Sequence, residues 1–383
     1  MDRTINRLRP HAADRTTQPK MSRTPKPKPA KPAARTAYLV LGMHRSGTSA
    51  VTQLLALAGA ELPANVMPGD EHNQKGYFEP WKIAIFNDER LRAASSAWDD
   101  PFAYPYRALP DAEDQAWFER ALALFDEEFP KAAWPLMKDP RATVLLPFWR
   151  RVLDARGVGA RCVIPVRHPL AVAGSLRRRD GFAEQKSVLV WTAYMLAAEA
   201  YTRDLPRAFV GYDALLADWR AEMARIEAAH GAPLPALTPA AGKKIDKFLT
   251  PELRHNAGDD GLSALGWAGD IAARTHAWFA ERAAGGDPDP SALEAAAADL
   301  ARRAAEIEPL GLVRDLATAR ADALAMRERA LGAEVFQQEL RDEMVRQRQA
   351  MEEHWRREAL ELEIARSTLS TINAELDAAL AEE

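Results

Sequence analysis

The sequence has almost no cysteine: Cys162 is the single one among 383 residues. One cysteine cannot form an intrachain disulfide or supply a cysteine-rich metal site, and this scarcity suits a reducing cytoplasm. Cys162 lies in the apolar run 160–166. We therefore predict that it is a small core residue rather than a reactive group.

Long hydrophobic runs are also missing. No apolar stretch approaches the roughly 20 residues that a membrane-spanning helix needs. The N-terminus is cationic but has no apolar segment behind the charges, unlike a secretory signal. The net charge of −4 gives no general attraction to nucleic acid. We expect a cytoplasmic protein that neither spans a membrane nor binds nucleic acid.

Residues 1–36 have few acidic residues, only Asp2 and Asp14, and are rich in Arg, Lys and Pro. Such a segment cannot bury enough apolar surface to offset its ordering entropy, so we predict a disordered arm that is partly polyproline II. A solvated tail is one interpretation of this arm. Weak peripheral contact with an anionic membrane or polymer is the other.

From residue 37 the pattern is that of an α/β protein. Apolar, β-branched runs, each followed by a helix-like segment, occur at 38–41, 134–137, 161–166 and 207–212. This alternation predicts a P-loop-type, three-layer α/β fold with a central, mostly parallel sheet. In such sheets ligands bind at the carboxyl ends of the strands.

Glycine and proline become scarce after about residue 285, where Ala, Glu, Arg and Leu dominate. A seven-residue repeat of apolar residues includes Trp355, Leu362, Leu369 and Leu376, with Ala365, Ile372 and Ala379 between them. Glu358 interrupts the repeat, and its register slips at 340–351. We predict a main domain at 37–285, a helical linker at 286–315 and a coiled coil at 316–383 that makes the chain a homo-oligomer. A helix folded back on the domain is the alternative, and the number of strands in the coiled coil stays open.

The first apolar run leads into LVLGMHRSGTSAVTQLL, residues 39–55. Gly42 and Gly47 have the spacing of the P-loop G-x-x-x-x-G-K-[ST], but Thr48 occupies the lysine position. A helix that begins at Thr48 directs its first N–H groups and its dipole at an anion. Arg45 can replace the missing lysine, because a guanidinium binds phosphate or sulfate through two hydrogen bonds. The loop therefore predicts an anion site.

An acid that would hold magnesium is not obvious. The strand ending at Val166 runs into Arg167 and His168. Asp139 could serve, but it precedes Pro140 and is also explained as a helix N-cap. We predict a site without metal, in which arginine and lysine neutralise the anion.

Several motifs resemble the PAPS-dependent sulfotransferases, in particular their bacterial branch; PAPS is 3′-phosphoadenosine 5′-phosphosulfate. GMHRSGTS is similar to the family's 5′-phosphosulfate loop, and VRHPLAVAGS, with Arg167 and Ser175 eight residues apart, to its 3′-phosphate motif. DEHNQKGYFE, KDPR and RDLPRAFVGYDALLADW also resemble segments of this branch, and together the motifs cover residues 38 to about 220 in order. The resemblance implies transfer of a sulfuryl group from PAPS to a hydroxyl, expected on a glycan or glycolipid, with no metal.

The resemblance also implies which residues bind the donor: Arg45, Ser46, Gly47, Thr48, Ser49, Arg167 and Ser175. The loop residues would hold the 5′-phosphosulfate, and the last two would hold the 3′-phosphate. Positioning and electrostatic stabilisation should supply most of the acceleration in such a transfer.

Four residues are candidates for catalysis: Arg45, which would touch the reacting group, Lys138, Glu79 and His72. Lys138 is expected to act on the leaving oxygen or the sulfuryl group, unless it is a lysine that snorkels to solvent from a strand end. Glu79 is the first candidate for the general base, with helix capping as its alternative role, and His72 is the second.

Other cations near the motifs have weaker assignments. Arg141 is predicted to be structural or to face a phosphate. The run 177–179, Arg-Arg-Arg, is interpreted as a solvated helix end, with contact to the 3′-phosphate or an acidic acceptor as the alternative. Arg254 and His255 could belong to a late loop over the nucleotide, and no ligand role is assigned to Gly211 or Tyr212.

Two other functions remain open. A P-loop nucleoside or sugar kinase with an altered loop would need Asp139 for its metal. A non-catalytic scaffold would keep the fold and use the arm and the coiled coil to recruit partners. The variable loop 94–110 is expected to build the pocket for the acceptor.

Overall fold

The computed structural model describes residues 35–69, 76–249 and 261–382. The arm at 1–34 and three candidate site residues, His72, Arg254 and His255, lie outside the described residues.

A four-stranded parallel sheet forms the centre of the domain. Its strands are β1 (Arg35–Val40), β2 (Leu136–Lys138), β3 (Val158–Val166) and β4 (Arg207–Gly211), in the order β2-β1-β3-β4. The predicted α/β architecture with a parallel sheet is confirmed. Arg35 and Thr36 were predicted to belong to the arm, but they pair with Val158 and Gly159 of β3, and the Arg35 guanidinium donates to two backbone carbonyls.

Thirteen α-helices and two 3₁₀ turns, Gly261–Leu265 and Glu308–Leu310, make up the rest of the regular structure within the described ranges. The helices are α1 (Thr48–Leu57), α2 (Trp81–Ala93), α3 (Asp111–Glu128), α4 (Arg141–Val144), α5 (Leu146–Ala155), α6 (Pro169–Asp180), α7 (Glu184–Ala200), α8 (Tyr212–Ala217), α9 (Trp219–His230), α10 (Pro239–Phe248), α11 (Trp267–Ala283), α12 (Ser291–Ile307) and α13 (Leu312–Glu382).

Helices cover both faces of the sheet. Alternate side chains of β1 point to opposite faces, so Tyr38 and Val40 pack in a core with α1, α9 and α10, whereas Leu39 packs in a larger core on the other face. The larger core contains α7, in which every residue from Ser187 to Glu199 is buried because α6 and α11 pack against it. Cys162 is buried in the same core, as predicted, and burial raises the pKa of its thiol to about 12.

The segment at 286–315, predicted to be a helical linker, contains helix α12. Leu293, Ala296 and Leu300 are buried in the larger core, where α12 packs against α11. Helix α12 therefore belongs to the packed domain, because an amphipathic helix is stabilised when its apolar face packs against another element. The helix α13 that follows is 71 residues long.

A search of the described residues for membrane-spanning segments finds no helix that is both long enough and apolar enough to cross a bilayer.

Candidate active site

The ends of the four strands bring distant parts of the sequence together. Because the strands are parallel, the loop after β1, Lys138 at the end of β2, Arg167 after β3 and Tyr212 after β4 all lie at one edge of the sheet. The chain passes from β1 outward to β2 and then returns to the other side of β1 as β3. The crevice between β1 and β3 is therefore the topological switch point, the place where open α/β sheets bind ligands.

The glycine loop has the backbone that an anion cradle needs. Gly47 precedes α1 with φ 92°, and no acidic residue lies in the first turn of the helix. A Cβ on Gly47 would lie 2.3 Å from Cδ2 of Tyr212, so the ring of Tyr212 packs directly on the loop. Arg45 also has a positive φ, 68°, a conformation that non-glycine residues adopt rarely and mostly at functional sites.

The two predicted phosphate motifs are in contact. The Nε of Arg45 donates to Oγ of Ser175 at 2.8 Å, and Nη1 of Arg167 donates to the carbonyl oxygen of Arg45 at 2.9 Å. The Arg167 guanidinium lies over the ring of Tyr212, 4.5 Å from its centroid. Residues separated by more than 120 positions in sequence thus form one cationic cluster at the switch point.

The electrostatics of this cluster favour an anion. Burial lowers the pKa of Arg45, and the neighbouring Arg179, Arg167 and Arg178 lower it further. Burial also lowers the pKa of Arg167. Bringing several buried guanidinium groups together is unfavourable unless a negative charge compensates them.

Two buried polar atoms beside the loop lack a hydrogen-bond partner among the described residues. They are Nη2 of Arg167 and Oγ of Ser46, whose side chain is 0% exposed. Buried donors usually have partners, so each is available to an incoming acceptor. These atoms and the N-terminus of α1 have the chemistry to hold phosphate or sulfate oxygens.

Lys138 and Glu79 form a buried ion pair. The Nζ of Lys138 lies 2.5 Å from Oε1 of Glu79, and it also donates to the carbonyl oxygen of Tyr77 at 3.0 Å and to Oγ of Ser49 at 3.4 Å. The side chains of the two residues are 2% and 4% exposed. The structure thus brings two of the candidate catalytic residues together, and Lys138 does not snorkel to solvent.

Glu79 does not cap α2. That helix begins at Trp81 after Pro80, and no side chain accepts a hydrogen bond from its first N–H groups. Both carboxylate oxygens of Glu79 instead face cations, since Oε2 lies 3.7 Å from Nη1 of Arg141. The preceding Phe78 has φ 56°, a strained value that aims the segment 77–79 at Lys138.

Arg141 has a structural environment. Its Nε donates to Asp88 at 2.6 Å, its Nη1 donates to Asp139 at 2.9 Å, and these carboxylates together with Glu79 raise its pKa even though burial opposes them. Asp139 is 0% exposed and also accepts from Nδ2 of Asn87 at 2.6 Å. In the described ranges no group of three or more His, Cys, Asp or Glu side chains is placed to hold a metal ion.

His44 belongs to the site although the motif analysis assigned it no role. It is 8% exposed, its ring lies edge-on to Trp98 at 4.8 Å, and its Nε2 is a further buried atom for which the described chain supplies no partner. Burial lowers the pKa of His44, and four surrounding cations, which include Lys138 and Arg45, lower it further. The imidazole is therefore neutral at pH 7. Its position inside GMHRSGTS, one residue before Arg45, was the available signal.

The three arginines at 177–179 differ in their surroundings. Arg177 is exposed and pairs with Glu184, as expected of a solvated helix end. The charges of Arg178 and Arg179 instead lower the pKa of Arg45. The guanidinium of Arg179 also lies over the ring of Trp98, 5.3 Å from its centroid. The alternative interpretation, contact with the anion site, is consistent with the positions of these two residues.

The chain was compared with known proteins. No family model and no curated protein matches it. Among solved structures it is similar to the sulfotransferase domain from the Synechococcus PCC 7002 olefin synthase, with 18% sequence identity and a TM-score of 0.35. The match covers 73% of this chain and 97% of that domain. A likeness at this identity and TM-score does not by itself establish a function.

Proposed function

We propose that the protein is a sulfotransferase that moves a sulfuryl group from PAPS to a hydroxyl acceptor. The observation that supports this most directly is the contact of Arg45 with both Ser175 and Arg167 at the switch point. The two motifs that resemble the 5′-phosphosulfate loop and the 3′-phosphate site of the family thus lie side by side. A nucleotide with phosphate groups at both its 5′ and 3′ positions fits such a doubly cationic site.

The residues of this chain suit the donor. Arg45, the amides of residues 46–49 and the N-terminus of α1 would hold the 5′-phosphosulfate, while Arg167 and Ser175 would hold the 3′-phosphate. The two buried donors without a partner in the described structure, Arg167 Nη2 and Ser46 Oγ, support this assignment. When bound, PAPS supplies a sulfur atom that forms a bond to the acceptor oxygen while its bond to the phosphate oxygen breaks.

Lys138 and Glu79 are assigned the charge and proton roles. The ammonium of Lys138 lies next to Ser49 of the loop, where it would neutralise charge on the leaving oxygen. Glu79 would accept the proton of the acceptor hydroxyl at Oε1, the oxygen that Lys138 occupies in the described structure. A turn of Lys138 from Glu79 toward the donor would free this oxygen for the proton.

The acceptor class follows from the motif resemblance, which implies a carbohydrate or glycolipid hydroxyl. Trp98, from the loop 94–110, reaches His44 and Tyr194, so this loop forms one wall near the reacting groups. The neutral imidazole of His44 could hydrogen-bond an uncharged hydroxyl there, and His72 remains a second candidate for the base.

Ligand-dependent thermal stability tests the proposal. Adenosine 3′,5′-bisphosphate should raise the melting temperature in the absence of magnesium, because a ligand at 100 times its Kd adds about 2.7 kcal/mol to the free energy of unfolding. Arg167→Ala should abolish the shift, whereas Arg177→Ala, an exposed arginine paired with Glu184, should leave it unchanged.

The kinase alternative gives the opposite result. If ATP with magnesium stabilises the protein and the bisphosphate does not, the proposal is wrong. The carboxylate of Asp139, which a kinase would need for its metal, is engaged with Asn87 and Arg141. We therefore expect no ATP turnover that depends on Asp139.

A further inference from the structure

An apolar stripe on α13 is exposed. Every side chain from 337 to 374 except that of Glu352 is exposed, although the helix carries Met351, Trp355, Leu362 and Leu369 at 52% to 64% exposure. Single exposed apolar residues are normal, but a row of them along one helix marks an interaction surface. A polar helix of this length is also unstable in isolation and needs a partner face.

The stripe has the period of a two-stranded seam. With Trp355 at position a of a heptad, Leu362 and Leu369 are also a residues, and the d positions hold Met351, Ala365 and Ile372, with Glu358 as the polar exception. One heptad earlier the a position is Arg348, so the apolar seam begins at Met351. The seam runs over about three heptads and is narrow, one a and one d per seven residues. Such a strip covers one partner helix, whereas packing on a globular domain uses a broader face.

The charges beside the seam identify the partner. In this register Glu361 is a g residue and Arg366 is the e residue of the next heptad. In a parallel, in-register pair of identical helices, Glu361 would face the partner's Arg366, and the symmetric pair would form on the other side. The remaining g and e pairs from 347 to 373 are Gln347 with Glu352, His354 with Ala359, and Thr368 with Asn373, so none opposes like charges.

We propose that α13 pairs with the α13 of a second copy of this chain in a parallel coiled coil whose seam runs from Met351 to Ile372. Parallel pairing places the two domains at the same end of the coil. Glu358, at a d position, would face its own counterpart and weaken the seam. The inference does not depend on the proposed function, because it rests on α13 alone.

The association state of the full chain tests the pairing. Sedimentation equilibrium should show a dimer, and Leu362→Lys combined with Leu369→Lys should weaken dimerisation about 100-fold or more, because four leucines leave the seam. The matched control is Leu360→Lys with Ile364→Lys, equally apolar and exposed residues of the same helix that lie off the seam. These should leave the dimer intact, and Glu358→Leu should strengthen it.

Cross-linking tests the orientation. Ala365→Cys at a d position should form a disulfide-linked dimer on oxidation, because each d residue faces its own counterpart in a parallel pair. Ile364→Cys, the adjacent residue off the seam, should not. The native Cys162 is fully buried and gives no background. A monomeric chain, a dimer that resists the Leu362 and Leu369 changes, or a dimer that Ala365→Cys does not link would each overturn the proposal.

Discussion

The candidate active site and α13 use similar charged residues in opposite environments. At the sheet edge the side chains of Lys138, Glu79 and Asp139 are at most 4% exposed, and each ionic group has a defined partner. On α13 the pair Arg346–Glu343 has a similar distance, 2.8 Å, but its side chains are 66% and 50% exposed. Removing one partner of a buried ion pair costs far more free energy than removing one partner of an exposed pair, so a lost charge should matter more at the sheet edge than on α13.

The largest expected effect comes from removing the buried cation. Lys138→Met leaves Glu79 buried next to Arg141 alone, so it should destabilise the domain by about 3 to 5 kcal/mol and reduce sulfuryl transfer by about 10²-fold or more. Denaturant unfolding and turnover with PAPS measure the two effects. The matched change on α13, Arg346→Met, should cost less than about 1 kcal/mol.

A double variant separates stability from catalysis. Adding Glu79→Gln to Lys138→Met removes the uncompensated carboxylate, so much of the stability should return while turnover stays low. If the double variant were no more stable than Lys138→Met, the ion pair would not be the source of the loss.

Acid should weaken the domain and spare α13. Burial and the neighbouring His168 lower the pKa of His276 to about 4, and burial also lowers the pKa values of His44 and His230. These imidazoles are neutral in the folded protein, and below about pH 6.5 they take up protons on unfolding. Their contribution to the free energy of unfolding is therefore fully present above about pH 6.5 and is lost as the pH falls toward 4. For His276 the loss is at most about 3 kcal/mol.

Urea unfolding at pH 7 and pH 5 measures this dependence. His276→Gln should flatten the profile, whereas His354→Gln, an exposed histidine on α13, should not change it. A stability that is constant between pH 7 and pH 5 would contradict the burial of neutral imidazoles.

A smaller effect is expected at the glycine loop. Gly47→Ala combines a strained φ with a clash against Tyr212, and it should weaken bisphosphate binding by about 10- to 100-fold, equivalent to about 1.4 to 2.8 kcal/mol. Gly231→Ala is the control, because φ there is 61° but nothing lies within 4 Å. Gly231→Ala should lower the stability through backbone strain and leave the affinity for the bisphosphate unchanged. Isothermal titration calorimetry distinguishes the two.

Truncation after residue 310 should have the smallest effect on chemistry. The buried residues of α12 remain in place, so the shortened chain should unfold near the temperature of the full chain and keep most of its turnover. A scaffold whose function lies in α13 would instead lose that function. Retained turnover therefore also argues against the non-catalytic alternative.

Much of the candidate site could be located from sequence because its signals are local. The loop 42–47 and the pair Arg167 and Ser175 lie within single turns or helices, where spacing alone constrains geometry. The role of α12 was missed, since its helical pattern looks alike in a linker and in a packed layer. His44 was overlooked although it lies inside the loop motif, because the motif does not show whether the imidazole of a loop histidine is buried or solvated.

The sequence by itself determined the alternation of strands and helices, the glycine loop and the heptad pattern, because each follows from residue spacing along one element. Only the tertiary structure decided that Lys138 pairs with Glu79 and that Arg45 contacts both Ser175 and Arg167. These contacts depend on strand order and register, which the packing of helices on both faces of the sheet sets over long distances.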